Sequence, residues 1–400
     1  MFSLSNSQNI LLFVSAIGIV QAIFIGGLLL FHARSDRSVN IFLALHIMAL
    51  TLPIILPLAQ YLFSWQLIVF LEPFLTLSGP FLYLYVRSFK ESITWKKAWP
   101  HFVFFVVCIP LAWWDYIAVG SKYPPASQVP AEATRNFLLM LPISLRLIQR
   151  VIYYFLSRRA LQGYQKSILH LFSDTSRISL NWVKWLINGY LFLIAVTLVF
   201  YPLMISYPRY FDFWILIPGA IVSLYIYLAA FRGITQSTLW QLQPHVNKEK
   251  VEEQMADAEE IELENTVKDS SRPRKAGLSP AQITALAEKI ITLLEAEKLY
   301  QEPDLTLQQL AGRLQSSVHH LSQAINDGLG KNFYDLVNGY RVAEAKRLLL
   351  DPKNTNFTIL SVGFEAGFNS KTTFNTVFKK FTGQTPTEYR AAQKAVPSVA

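Results

Sequence analysis

The sequence predicts an all-α protein of two unlike halves, and three observations lead there. Apolar residues make up 52% of the 400 residues, and they are concentrated before residue 231. That half falls into seven apolar stretches, each near the ~20 residues a helix needs to cross a bilayer. Beyond residue 278 apolar residues recur at helical spacing among polar ones, the pattern of short amphipathic helices. The predicted architecture is a seven-helix transmembrane bundle over 1–235, an acidic flexible linker over 236–278 and a cytoplasmic helical domain over 279–400.

The apolar stretches lie at about 9–31, 39–61, 65–88, 99–119, 136–156, 182–205 and 211–231. Prolines such as Pro53, Pro73, Pro110 and Pro218 interrupt several of them. Membrane helices tolerate proline because neighbouring helices satisfy the freed backbone groups. The first stretch lacks a basic leader and is too long for a cleaved signal peptide. Orientation follows from the loops. Arg34, Arg37, Arg87, Lys90, Lys96, Lys97, Arg158, Arg159, Lys166 and Arg177 lie on one side, against Lys122, Arg135 and Arg209 on the other. Basic loops stay in the cytoplasm, so the N-terminus is expected outside and the C-terminal half inside.

The net charge of +9 belongs mostly to this asymmetry. Residues 1–240 hold 17 basic and 7 acidic side chains, whereas residues 278–400 hold 13 and 11. A domain so weakly charged holds a polyanion only through the local placement of its cations. Cys108, the single cysteine, lies in an expected span, which excludes an intrachain disulfide and a cysteine-based metal site.

Residues 241–277 are acidic, lack aromatics and end in Ser, Pro and Gly, the composition of a flexible linker. Pro280–Tyr300 then reads as an amphipathic helix with Ile283, Leu286, Ala287, Ile290, Leu293 and Leu294 on one face. Leu307, Leu310, Ala311 and Leu314 support a first helix-turn-helix motif. Ser316 or Ser317 caps its second helix, whose core side is Val318, Leu321 and Ile325. Ser317, His319, His320, Ser322 and Gln323 are left for the exposed side. Two adjacent histidines without a third ligand fit a surface better than a metal site. Phe333–Leu350 is a connecting helix of about 27 Å, expected to bury Phe333, Leu336, Val337, Tyr340 and Ala343.

Thr358–Arg390 carries a second motif. Ile359, Val362 and Phe364 fit a short helix, and Gly367 breaks it. Asn369 or Ser370 caps the next helix, with Phe374, Val377, Phe378 and Phe381 as its core positions. Between these lie Lys371, Thr372, Asn375, Thr376 and Lys379, with Lys380 beside them. Short donors and acceptors followed by cations suit a helix that reads base edges while lysines hold phosphates.

The pattern Ile359, Val362, Gly363, Gly367, Phe368, Ser370, Phe374, Phe378, Lys379, Lys380, Gly383, Thr385, Pro386, Tyr389 and Arg390 resembles AraC-type (AraC/XylS) transcription regulators. The stretch DLTLQQLAGRLQSSVHHLSQAINDGLGKNFYDLVNGYRVAEAKRLLLDP resembles the preceding part of the same domain. Gly363 stands where alanine is usual. Glycine inside a helix costs about 1 kcal/mol relative to alanine, so that helix is expected to be loosened. The resemblance implies double-stranded promoter DNA as partner, read by both motifs, with RNA polymerase as a second partner and no cofactor. A domain of this kind behind a membrane bundle resembles the membrane-bound bacterial subgroup. That implies a multi-pass protein of the inner membrane with its C-terminal domain in the cytoplasm.

Ionisable residues inside spans are functional candidates. Glu72 and Arg146, with Asp115 near the end of the fourth span, can line an outward-facing ligand pocket or form a structural ion pair. His46 reads as a hydrogen-bonded core residue. No zinc-protease, phosphate-loop or nucleophile-elbow pattern is present, so no enzyme activity is expected. The rival class is a transporter or intramembrane enzyme with a regulatory tail. A transporter favours repeated halves, which seven spans do not supply. The lipid bilayer, a small-molecule or protein signal and a second copy of the chain complete the expected partners.

Overall fold

The computed structural model describes residues 6–31, 37–62, 71–115, 117, 137–175, 180–207, 211–241, 278–354 and 356–394. The regular elements among them are helical, apart from one isolated antiparallel bridge between Phe172 and Thr306. The chain divides into two compact units, residues 1–163 with 180–245 and residues 164–179 with 246–400. Most of the expected linker lies outside the described residues.

In the first unit α1 (Asn6–Phe31) packs on α2 (Arg37–Leu62). The expected third span is not one helix. A tight 3-10 turn, Glu72–Thr76, precedes α3 (Ser78–Arg87). Pro73 near its start has no N–H to donate, and the Thr76 hydroxyl closes the turn onto the Pro73 carbonyl at 2.7 Å. The fourth stretch begins with the short turns Trp95–Ala98 and Trp99–Phe102 and continues as α4 (Val103–Asp115). The fifth helix, α5 (Phe137–Leu171), has 35 residues and runs well past the expected end at 156. Its extension is rich in Arg, Leu, Gln and Lys, good helix formers that outweigh the single Gly163. α6 (Asn181–Ser206) and α7 (Phe211–Gln241) complete the unit.

Three runs among the described residues are long and apolar enough to cross a membrane: Trp95–Trp114, Asn181–Leu203 and Leu216–Gly233. Ala16–Leu28 and Asn40–Ile55 are shorter apolar helical runs. Inside the unit His46 is fully buried and donates Nδ1–H to the Ser78 carbonyl at 2.7 Å. The Ser78 hydroxyl lies 3.1 Å from that of Tyr190, and Tyr225 donates to the Leu186 carbonyl at 2.9 Å.

The second unit consists of short helices with side-chain caps. α8 (Pro280–Ala296) starts with a reciprocal cap between Ser279 and Gln282 and buries Ala287, Ile290 and Leu294. α9 (Leu307–Arg313) starts with the same device, Thr306 with Gln309. Ser317, Asn332, Thr358 and Ser370 cap α10 (Val318–Gln323), α11 (Phe333–Leu350), α12 (Ile359–Glu365) and α13 (Lys371–Thr382). α14 (Pro386–Lys394) closes the unit.

The α11 helix has a different buried face from the one expected. Phe333, Leu336 and Val337 are buried, but Tyr340 is only half-buried and Ala343 is exposed. Asn338, Arg341, Val342, Ala345, Leu348 and Leu349 take the interior instead. The end of α11 shares a core with Val362, Ala366, Phe368, Phe374, Val377 and Phe378. Phe364 and Phe381, expected in that core, are 51% and 38% exposed. The short α12 has room for one inward stripe, which Val362 and Gly363 fill, with Ala366 buried just after it.

Gly363 has a packing reason. A Cβ there would lie 2.7 Å from Cδ1 of Phe374, so α12 and α13 come closer than alanine allows. The motif turn needs glycine for two reasons: Gly367 has φ +95°, and a Cβ would lie 2.5 Å from the Tyr300 carbonyl oxygen. In the other motif the left-handed position is taken by Gln315, φ 48°. Gly363→Ala is therefore expected to destabilise this unit by about 1–3 kcal/mol through overpacking, outweighing a propensity gain of about 1 kcal/mol. Thermal unfolding checks this, and Phe374→Leu combined with Gly363→Ala should lose less than the two single losses added. A midpoint that rises with Gly363→Ala alone would contradict the close packing.

Candidate nucleic-acid interface

In the second motif the phenyl rings of Phe368, Phe374 and Phe378 lie in series, with centroids 5.0 and 5.6 Å apart, and Tyr389 follows at 5.4 Å. This aromatic spine fixes the rotation of α13 and so decides which side chains face out. Lys371, Thr372, Thr376 and Lys379 are exposed, and Asn375 is half-buried. The Ser370 hydroxyl accepts from the Thr373 N–H at 3.1 Å, and Gly383 at φ +79° terminates the helix. Lys379 and Lys380 stand in the last turn, where the helix dipole favours cations. Lys371 stands in the first turn, where it does not.

Lys380 is exposed but engaged: its ammonium donates to Asp335 at 2.6 Å and lies 5.3 Å from the Tyr334 ring centroid. It ties α13 to the start of α11.

The first motif presents a smaller polar face than expected. Ser317 is exposed, and its hydroxyl accepts from the His320 N–H at 3.1 Å. His319 and His320 are half-buried, with ring centroids 5.9 Å apart. Ser322 is a correction: it is 5% exposed, and its hydroxyl accepts from the Asn326 amide at 3.4 Å. Helix α10 runs directly into a wider turn, Ala324–Gly328, which rotates Ser322 inward beside Leu321 and Ile325. Gln323 is half-buried and accepts from the Leu278 N–H at 3.2 Å.

The residue missed from the sequence is Arg341. It is 1% exposed at the middle of α11. Its Nε donates to the Tyr300 carbonyl at 2.7 Å, and its Nη2 to Glu302 at 2.7 Å and Pro303 at 3.1 Å. It thereby fixes the segment that leads into the first motif. The signal was present: Asn338, Arg341, Ala345 and Leu348 keep helical spacing, with polar members in the buried stripe.

Of the membrane-half candidates, Glu72 and Arg146 meet in an ion pair, Nη1 to Oε2 at 3.2 Å. Asp115 is the last residue of α4, and its side chain lies outside the described residues. Among the described residues no three metal-ligating side chains converge.

Residues 310–392 match the family model described as a helix-turn-helix domain. The chain is 33% identical over 109 residues to an uncharacterised HTH-type transcriptional regulator of Staphylococcus aureus strain COL, covering 27% of this chain and 14% of that one. It is 26% identical over 134 residues to the uncharacterised HTH-type transcriptional regulator YtdP of Bacillus subtilis strain 168, 34% of this chain and 17% of that one. The chain thus spans only a small part of the length of the curated relatives it matches. No solved structure matches it. The C-terminal part carries a helix-turn-helix domain.

Lys371→Ala and Asn375→Ala should each weaken binding to a selected duplex by about 1–3 kcal/mol and relax sequence preference. Lys379→Ala should weaken all sequences alike and lower the salt slope by about 1. Titration by fluorescence anisotropy at several salt concentrations separates these behaviours. Equal losses for Asn375→Ala on selected and random duplexes would remove it from base reading.

Proposed function

We propose that the chain is a membrane-tethered bacterial transcription regulator that binds promoter DNA through both motifs, in response to a signal received by its N-terminal half. The observation that carries the DNA reading is the outer face of α13, where Lys371, Thr372 and Thr376 stand clear of the aromatic spine. A lysine in the first helical turn opposes the helix dipole, so its placement favours an anionic partner. Base reading falls to Lys371, Thr372, Asn375 and Thr376, with His319, His320 and Gln323 in the first motif. Lys379 and Ser317 meet the backbone. RNA polymerase and a second copy of the chain are the protein partners this reading expects.

Two observations support the tether. Large apolar side chains point outward along the first unit, among them Phe155, Phe192, Val199, Leu224 and Phe231, as lipid contact requires. The segment 164–179 belongs to the same compact unit as the C-terminal helices. The basic-loop asymmetry assigns that segment to the cytoplasm, the side on which DNA lies. Signal reception falls to the Glu72–Arg146 pair, since paired ionisable side chains within apolar segments are retained for structure or for a ligand.

Reporter fusions test the tether. A reporter active only outside the cytoplasm should work when fused after Ser206 and be silent after Gln236, and the reverse would overturn the orientation. In the same cells the neutral couple Glu72→Gln with Arg146→Met should keep membrane abundance but lose the transcriptional response. Full responsiveness would reject the pair as a signal site.

A further inference from the structure

We propose that residues 164–174 form an autoinhibitory latch on the DNA-binding unit, holding its two reading helices in a conformation of low DNA affinity; this rests on the DNA-reading assignment above. The segment comprises the last turns of α5 and the three residues after it, and it groups with the C-terminal helices rather than with the rest of α5. Its anchor is Ser173, which is fully buried. The Ser173 N–H and hydroxyl both donate to the Leu305 carbonyl, at 3.3 and 2.7 Å. The Ser173 carbonyl accepts from the Asn338 amide at 2.9 Å and from Arg341 Nη1 at 3.4 Å, and its hydroxyl accepts from Arg341 Nη2 at 3.1 Å. Beside it Phe172 forms the antiparallel bridge with Thr306, the residue that caps α9.

The flanking residues reach both reading heads. The His170 ring lies 3.5 Å from the amide of Asn326, in the turn that continues α10. Asp174 accepts from the Asn369 amide at 3.1 Å, one residue before the cap of α13, and the same amide donates to Asp304 at 2.7 Å. Residues 170–174 thus touch the start of the first motif, the turn that continues its reading helix, the connecting helix and the lead-in to the second reading helix. Two consequences follow. A segment outside the domain's own run of sequence bridges the approaches to both reading helices. Two carboxylates also stand at the N-terminal approach to α13, where a phosphate would otherwise meet the positive end of the helix.

The test uses the full chain in lipid nanodiscs with Cys108→Ser, Phe172→Cys and Thr306→Cys. Residues paired across an antiparallel bridge have Cα atoms about 4.5–5.5 Å apart, within disulfide reach. The probe is a labelled duplex selected from a random-sequence pool by the reduced protein. The oxidised protein should bind about tenfold more weakly than the reduced one, a size usual for coupled sites, and reductant should restore binding. Asp174→Asn, an isosteric change that leaves the Ser173 anchor intact, should bind the duplex more tightly than the parent. Failure of the disulfide to form, or equal or tighter binding when oxidised, overturns the latch. Unchanged affinity for Asp174→Asn overturns the part assigned to the carboxylate. Absence of DNA binding in both redox states overturns the DNA-reading assignment and the latch with it.

Discussion

Arg341 carries a full charge into the middle of the C-terminal unit, and the rest of that unit is arranged around satisfying it. A buried guanidinium without partners costs several kcal/mol, but here its N–H groups meet the carbonyls of Tyr300, Glu302, Pro303 and Ser173. Burial pushes its pKa down to about 10, with Asp174 and Asp304 pulling it back up, so it remains a cation at neutral pH. Because the folded value lies below the unfolded one, burying this charge opposes folding at neutral pH. The opposition fades only as pH rises through about 10, and the carbonyl contacts offset it. The same Tyr300 carbonyl is the atom against which Gly367 closes. Both motifs therefore depend on one short segment, 300–303, and that segment depends on Arg341.

Much of the C-terminal unit was legible because its rules are local. The caps at Ser317 and Ser370, each one of two neighbouring candidates, and a glycine in the second turn follow from hydrogen-bond arithmetic within four residues. What was not legible came from contacts distant in sequence. Helix α11 lies against the helices of the second motif and against the segment that leads into the first, so no single apolar stripe describes it, and Tyr340 and Ala343 were placed on the wrong side. Ser322 turned inward because a wide turn follows α10, which no periodicity announces. Gly363 read as a defect in a helix, yet it is the condition for Phe374 to approach.

In the N-terminal unit composition located the helices well and their ends poorly. Prolines in apolar stretches gave a tight turn at Glu72–Thr76 rather than a continuous helix. At α5 the basic residues that mark a loop by charge are also good helix formers, and the helix continues through them. Glu72 and Arg146, which meet in an ion pair, stood out in the sequence as ionisable residues within apolar stretches. The assignment of 164–179 to the C-terminal unit was not, since Ser173 is an unremarkable residue until its partners are known.

The proposed function requires both motifs of this chain to engage one stretch of DNA together while its N-terminal half lies in a membrane. Hydroxyl-radical footprinting of the full chain in nanodiscs on a selected duplex tests it most directly. Two protected tracts are expected on one face of the duplex, about one helical turn apart. A single protected tract, with the second motif's variants leaving it unchanged, would contradict it.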